Sequence, residues 1–475
     1  MIFPTTTFAV FFCIVLVASW LLMPHPRFWR LFIIGASFVF YADWNWKFVG
    51  LLAFSILWNQ AIGVGIHRAR VQSQRQALVG LGVVVDVGLL GYFKYYDFFV
   101  SSGSNVFSDL GLGGFPIGTK AIVLPVGISF FTFMAISYIV DIYRRELEPA
   151  SLAKFGAYLS FFPHLVAGPI VRGSELLPQL ETPRDPRRVD TSRAFYLIAT
   201  GLFKKVVIAN YLATHVVDQV FGAPVQHSSL ETWIAVFAYA VQIYADFSGY
   251  TDMAIGIALL LGFKFPQNFD SPYAAISIQD FWRRWHMTLS RWLRDYVYIP
   301  LGGNRKGEPR TYLNLMATML IGGLWHGAAW SFVIWGGLHG AWLAIGRYRR
   351  EHGLATDATS GWALWRQRIA TFGLVCFAWI FFRSGSENGL STAFEVIGRL
   401  FNNWGAPSPL VTGGVLLAIA VGIGTQYLPA RIPQAIMSWF SRRQVAVQIV
   451  VLAFALMLSR TMGPQGVAPF IYFQF

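Results

Sequence analysis

Ten runs of mainly apolar residues recur along this chain, at about 7–23, 28–43, 47–66, 77–100, 121–141, 193–220, 232–262, 369–382, 409–428 and 444–462. Crossing the hydrocarbon core of a bilayer takes about 20 such residues in a helix. Only helices and closed barrels satisfy every backbone polar group at that depth. The recurrence therefore predicts an all-α, polytopic membrane protein. Composition agrees: 13% of the 475 residues are charged, against about 25% in soluble domains. Too few polar side chains remain to cover a water-facing surface. No stretch reads as a separate soluble domain, so 1–475 is expected to form one membrane domain.

The net charge of +14 sits in short basic runs between the apolar stretches, where retention on the cytoplasmic side accounts for it. No nucleic-acid motif accompanies it, so no nucleic-acid partner is expected. Cys13 and Cys376 both fall in apolar runs, with no second Cys or His at ligand spacing. Neither a disulfide framework nor a zinc site is indicated. The segment 8–23 has no basic leader and no small-residue cleavage site, and reads as a retained first helix.

Arg27 and Arg30, the 67–75 cluster, and Arg144 with Arg145 alternate correctly as cytoplasmic connections if the N-terminus lies outside. Two apolar stretches are interrupted. The first, 152–171, contains Pro163-His164 and Gly168-Pro169 between basic flanks, which predicts a re-entrant element. The second, 311–346, lies between Arg310 and Arg347 and predicts a hairpin. His326 is 16 residues from Arg310, about 24 Å along a helix, deep relative to a core of about 30 Å. Ile278 to Tyr296 reads as one amphipathic helix lying in the interface, with Trp, Phe and Leu on one stripe and arginines off it.

Ionisable residues inside such segments are costly, and each is a candidate for function. His326, in the sequence GGLWHG, is the foremost. Burial disfavours a charged imidazole, and a neutral one takes the proton of a hydroxyl attacking a thioester. Spacing alone leaves open a core histidine bonded to a neighbouring helix. His339, 13 residues further on, cannot share a face with His326 on one straight helix, and a structural place is expected for it. His286 sits at the edge of the amphipathic stripe. Asp246 and Asp252 interrupt an apolar run of 31 residues; orienting a histidine, binding an ion and pairing with an arginine for helix packing all remain open. Arg283, Arg284, Arg291 and Arg294 suit phosphate groups and anionic lipid headgroups equally. P-loop, zincin and serine-hydrolase motifs do not occur in the sequence.

Six segments carry a resemblance: 161–170 (FFPHLVAGPI), 246–256 (DFSGYTDMAIG), 268–304 (NFDSPYAAISIQDFWRRWHMTLSRWLRDYVYIPLGGN), 323–340 (GLWHGAAWSFVIWGGLHG), 379–384 (WIFFRS) and 471–475 (IYFQF). Together, and in this order, they resemble the membrane-bound O-acyltransferases, in the branch of the alginate O-acetyltransferase membrane subunits. The resemblance implies about 11–13 transmembrane or re-entrant helices, each within reach of a bilayer's thickness, with interfacial helices around a central tunnel. It implies that His326 and His286 are the catalytic histidines, with Trp325, Asp246, Asp252, Arg283, Arg284 and Asn304 as supporting or substrate-binding positions. No metal and no resident cofactor are implied.

Acetyl from acetyl-CoA or another cytoplasmic thioester would cross a bacterial inner membrane. A periplasmic acetyltransferase of serine-hydrolase-like fold would then place it on an exported polysaccharide, most simply alginate. Many members of the wider family carry Asn or Asp where this sequence has His286; a histidine there is shared by the polysaccharide and D-alanyl branches. Peptidoglycan or cellulose acetylation, teichoic-acid D-alanylation and a non-enzymatic transporter of acyl carriers are the alternatives.

Overall fold

The computed structural model describes residues 1–111, 117–385, 389–429 and 431–462; the 471–475 segment lies outside the described residues. The described chain is helical, and no strand occurs among these residues. Among the described residues, three helical stretches are long and apolar enough to cross a membrane by length and composition: Pro26–Arg68, Gln72–Asp109 and Thr191–Gly222. Other long helices, such as Ser229–Leu260, carry Trp, Tyr, Gly and Asp that dilute the apolar run. Helix starts follow local chemistry: Thr5 accepts a hydrogen bond from the Phe8 amide (3.2 Å) and Ser277 from the Asp280 amide (3.1 Å).

The chain groups into two compact units, residues 1–190 with 257–266, and residues 191–256 with 267–475. In the first, helix Ile128–Arg144 is buried along almost its whole length. It fits against helices Val49–Arg68 and Gln72–Leu90 because glycines face it. A Cβ on Gly82 would lie 2.6 Å from Ile139 Cδ1, and one on Gly63 2.9 Å from Ile142 Cδ1. Small residues let helices approach where lipid supplies no hydrophobic drive. Buried Asp86 accepts from Asn59 Nδ2 at 3.0 Å in the same unit. The interrupted stretch 152–171 forms helix Leu152–Ser160 and a single turn Phe162–Leu165, broken at Phe161. His164 is fully buried, and its Nε2 donates to the Tyr158 carbonyl at 2.9 Å.

In the second unit, the 193–220 run is a helix interrupted by two wide π turns, Phe203–Ala209 and Ala213–Val217. Gly201 and Gly249 bring it against helix Ser229–Leu260, since a Cβ on either would lie within 2.7 Å of the other's carbonyl oxygen. That approach sets two ion pairs side by side: Lys204 with Asp252 at 2.5 Å, and Lys205 with Asp246. Helix Leu390–Asn402 was not expected from the sequence. It buries Thr392, Ala393, Val396 and Leu400, a helical stripe too short to span a bilayer. Its C-terminal end is tied to the start of Ser229–Leu260 by Ser229 Oγ, which donates to the Arg399 carbonyl (2.8 Å) and accepts from the Asn403 amide (2.8 Å).

Candidate active site

The 311–346 stretch is a hairpin of two helices, Glu308–His326 and Trp330–Glu351, with His326 the last residue before the turn. Glycine makes the hairpin close. A Cβ on Gly323 would lie 2.3 Å from the Phe332 carbonyl oxygen, and one on Gly336 2.4 Å from that of Met319. Backbone cannot retreat as a flexible side chain can. Gly336→Leu should therefore cost at least about 1–3 kcal/mol from overpacking. Gly337→Ala, whose Cβ meets only Leu320 Cδ2 at 3.8 Å, should leave thermal unfolding in detergent unchanged.

His326 is 2% exposed. Three aromatic rings surround it, Trp325, Trp335 and Phe382, each with its centroid 5.0 Å from the imidazole. Trp335 also touches His339 at 4.7 Å. The two histidines thus meet through one indole, although a straight helix would separate them. The turn at 327–329 reverses the chain, so helical spacing does not apply across it. His339 Nδ1 accepts from Trp282 Nε1 at 3.3 Å.

Residues 278–296 do not form one amphipathic helix. Helix Ile278–Arg284 stops, Trp285 turns extended, and His286 takes a left-handed conformation at φ +41° before helix Met287–Leu293 begins. The break carries His286 off the polar edge of the stripe and into the interior, where it is fully buried. Its ring meets Phe247 at 4.7 Å and Trp325 at 5.8 Å. With no charged neighbour to offset desolvation, burial pushes the imidazole down to about 3, and it is uncharged at neutral pH.

A cavity of about 770 Å³ opens beside the hairpin. Arg283, Arg291, Arg294, Arg305, Arg347 and Arg350 line it against a single carboxylate, Glu351. Arg347 pairs with Glu351 and Arg294 with Asp295, whereas Arg283, Arg305 and Arg350 make no ion pair among the described residues. Its inner wall is apolar, with Trp282, Met287, Leu293 and Met319. Trp282 lies 5.7 Å from Trp335, so one indole separates this wall from His326. Asn304 stands exposed on the rim, after a turn that requires glycine at Gly302 (φ +113°) and Gly303 (φ +55°). Asn314 Nδ2 holds that turn through the Gly303 carbonyl at 2.9 Å.

The structure thus brings His326, Trp325 and His286 together, and places Arg283 and Asn304 at the adjoining cavity. Arg284 instead bonds Asp280 at 2.9 Å within its own helix. Asp246 and Asp252 are taken up by Lys205 and Lys204, so ion pairing does occur, but with lysines and not with the arginine expected from the sequence. Sequence reasoning missed Asn268, Trp335 and Phe382. Asn268 had no periodicity to mark it, and the aromatic rings were indistinguishable from core until the hairpin folded. Among the described residues no cluster of His, Cys, Asp and Glu is suited to a metal ion.

Buried histidines and an adjoining cavity rich in arginine thus sit side by side in an all-helical chain. The model of the membrane-bound O-acyltransferase family matches residues 38–382. The chain is 42% identical to the probable alginate O-acetylase AlgI of Azotobacter vinelandii, over 85% of this chain and 78% of the relative. It is 39% identical to the peptidoglycan O-acetyltransferase of Helicobacter pylori (78% and 74%). It is 28% identical to the teichoic acid D-alanyltransferase of Streptococcus thermophilus (58% and 71%). The chain belongs to the membrane-bound O-acyltransferase family. It is a multi-pass membrane acyltransferase.

Proposed function

We propose that this chain transfers acetyl from a cytoplasmic thioester, most simply acetyl-CoA, for O-acetylation of an exported polysaccharide, with alginate the leading polymer. The bacterial inner membrane is its place, and a periplasmic acetyltransferase of serine-hydrolase-like fold its partner. One observation supports this most: an arginine-lined cavity whose apolar wall ends one ring from His326. The phosphates of the donor pair with the rim, Arg283, Arg305 and Arg350 being uncommitted, and its apolar arm runs toward Trp282 and Met319. Trp282 and, behind it, Trp335 must swing aside for the thioester to reach His326. The unprotonated His326 then takes the proton of the acceptor hydroxyl as its oxygen attacks the thioester carbonyl. The thiolate leaves and recovers that proton, and the acetyl ester forms.

Hydrogen bonds to charged groups contribute about 1.5–3 kcal/mol. Arg283→Ala and Arg350→Ala should therefore each raise KM for acetyl-CoA roughly tenfold to a hundredfold, with kcat little changed. Steady-state transfer by protein reconstituted in nanodiscs measures this; unchanged KM in both variants would remove the cavity from donor binding. Peptidoglycan is the second reading, carried by the 39% identity to the Helicobacter pylori enzyme. Mass spectrometry of surface polymers, with and without the gene, decides between the two.

A further inference from the structure

Asn268 grips three consecutive residues at the break that holds His286. Its carbonyl oxygen accepts from the Met287 amide at 2.9 Å. Its side-chain Oδ1 lies 3.1 Å from the Thr288 amide, 2.9 Å from Thr288 Oγ1 and 3.2 Å from His286 Nδ1. A backbone amide only donates, so the atom facing Thr288 must be the carboxamide oxygen. An amide oxygen only accepts, so His286 Nδ1 must carry the proton. Nε2 then bears a lone pair. That nitrogen is buried and has no hydrogen-bond partner among the described residues.

A buried acceptor without a donor costs stability, and so does the left-handed backbone at His286. The fold maintains both at one residue, beside Trp325, which in turn packs on His326. Asn268 and Thr288, each 1% exposed, are shielded from competing water. We propose that Asn268 is a positioning residue of the acyl-transfer site: it keeps the His286 proton on Nδ1, so that Nε2 offers its lone pair to an O–H or N–H of the bound substrate. This rests on the acyl-transfer reading of the same site. The His286 proton stays where it is throughout, and His326 remains the group that exchanges a proton with the reacting hydroxyl.

The groups facing the His286 ring are Phe247 from helix Ser229–Leu260, Trp325 from the hairpin, and Asn268. None is charged; the titratable His326 follows Trp325 in the chain. Asn268→Asp keeps the size and the accepting oxygen but adds a carboxylate against Nδ1. The sign follows: a negative neighbour favours the imidazolium, which has no lone pair on Nε2. Asn268→Asp should therefore retain transfer at alkaline pH and lose it as pH falls, its acid limb lying at least one unit above that of the wild type. Asn268→Ala should lose roughly tenfold to a hundredfold in kcat/KM at every pH, as when an orienting outer-shell partner of a functional histidine is removed.

Reconstituted full-length protein, assayed with acetyl-CoA and the exported polymer across pH 3 to 9, gives the profiles, and size-exclusion elution checks folding. A purely structural Asn268 predicts an unshifted limb, or an Asp variant that elutes as folded protein yet is as slow as the Ala variant. Either result overturns the proposal, even if the Ala variant does not fold. His326→Ala and His286→Ala run alongside. Full activity in both would sink the acyl-transfer reading itself, which is distinct from failure of the Asn268 assignment.

Discussion

Replacing His326 by alanine should abolish acetylation of the exported polymer while the protein remains in the membrane at its normal level. General-base catalysis contributes roughly 10²–10⁴-fold, and the neighbouring imidazoles, His286 and His339, are each held behind an indole, Trp325 and Trp335. His326 is enclosed by Trp325, Trp335 and Phe382, so water that entered the vacated space would be poorly placed to substitute. The measurements are polymer-bound acetyl by mass spectrometry, membrane protein level by immunoblot and elution from a sizing column. Acetylation that persists, or that falls only in proportion to lost protein, would count against His326 as the reacting base.

A comparably large effect is expected at Lys205. Its side chain is 2% exposed and that of Asp246 4%. Removing one partner of a buried pair leaves an uncompensated charge, which costs about 3–5 kcal/mol. Lys205→Met should lower the thermal unfolding midpoint sharply, or prevent folding. Lys205→Met with Asp246→Leu should recover most of the loss, because a buried pair replaced by apolar residues of similar volume is often neutral. Lys204→Met should cost less, since both partners of the Lys204–Asp252 pair are about a quarter exposed and water can solvate the remaining carboxylate. If the double variant is no better than Lys205→Met alone, the pair does not act as a unit.

These two residues mark where sequence reading worked and where it stopped. His326 was legible because a titratable side chain deep in an apolar stretch needs a reason to be there, and because its motif matched the family. Lys205 was not, since a lysine near the middle of a run reads as an interruption until its partner on another helix is known. Arg284 and Asp246 were legible as unusual residues, but their use was not. Asp280 holds the first at 2.9 Å and Lys205 the second, and neither pairing follows from spacing along one element.

The sequence by itself determined that this chain is helical and membrane-embedded, that residues 311–346 fold back as a hairpin, and that His326 lies near its end. Each of these depends on solvent partition or on local backbone chemistry, which are properties of a segment and its neighbours in the chain. Tertiary structure alone decided that His286 turns inward at a break, that Asn268 governs which of its nitrogens bears the proton, and that Trp335 joins His326 to His339. Those outcomes require atoms from separate helices to compete for the same few ångströms. Hydrogen-bond direction and steric exclusion settle that competition only once the helices are packed.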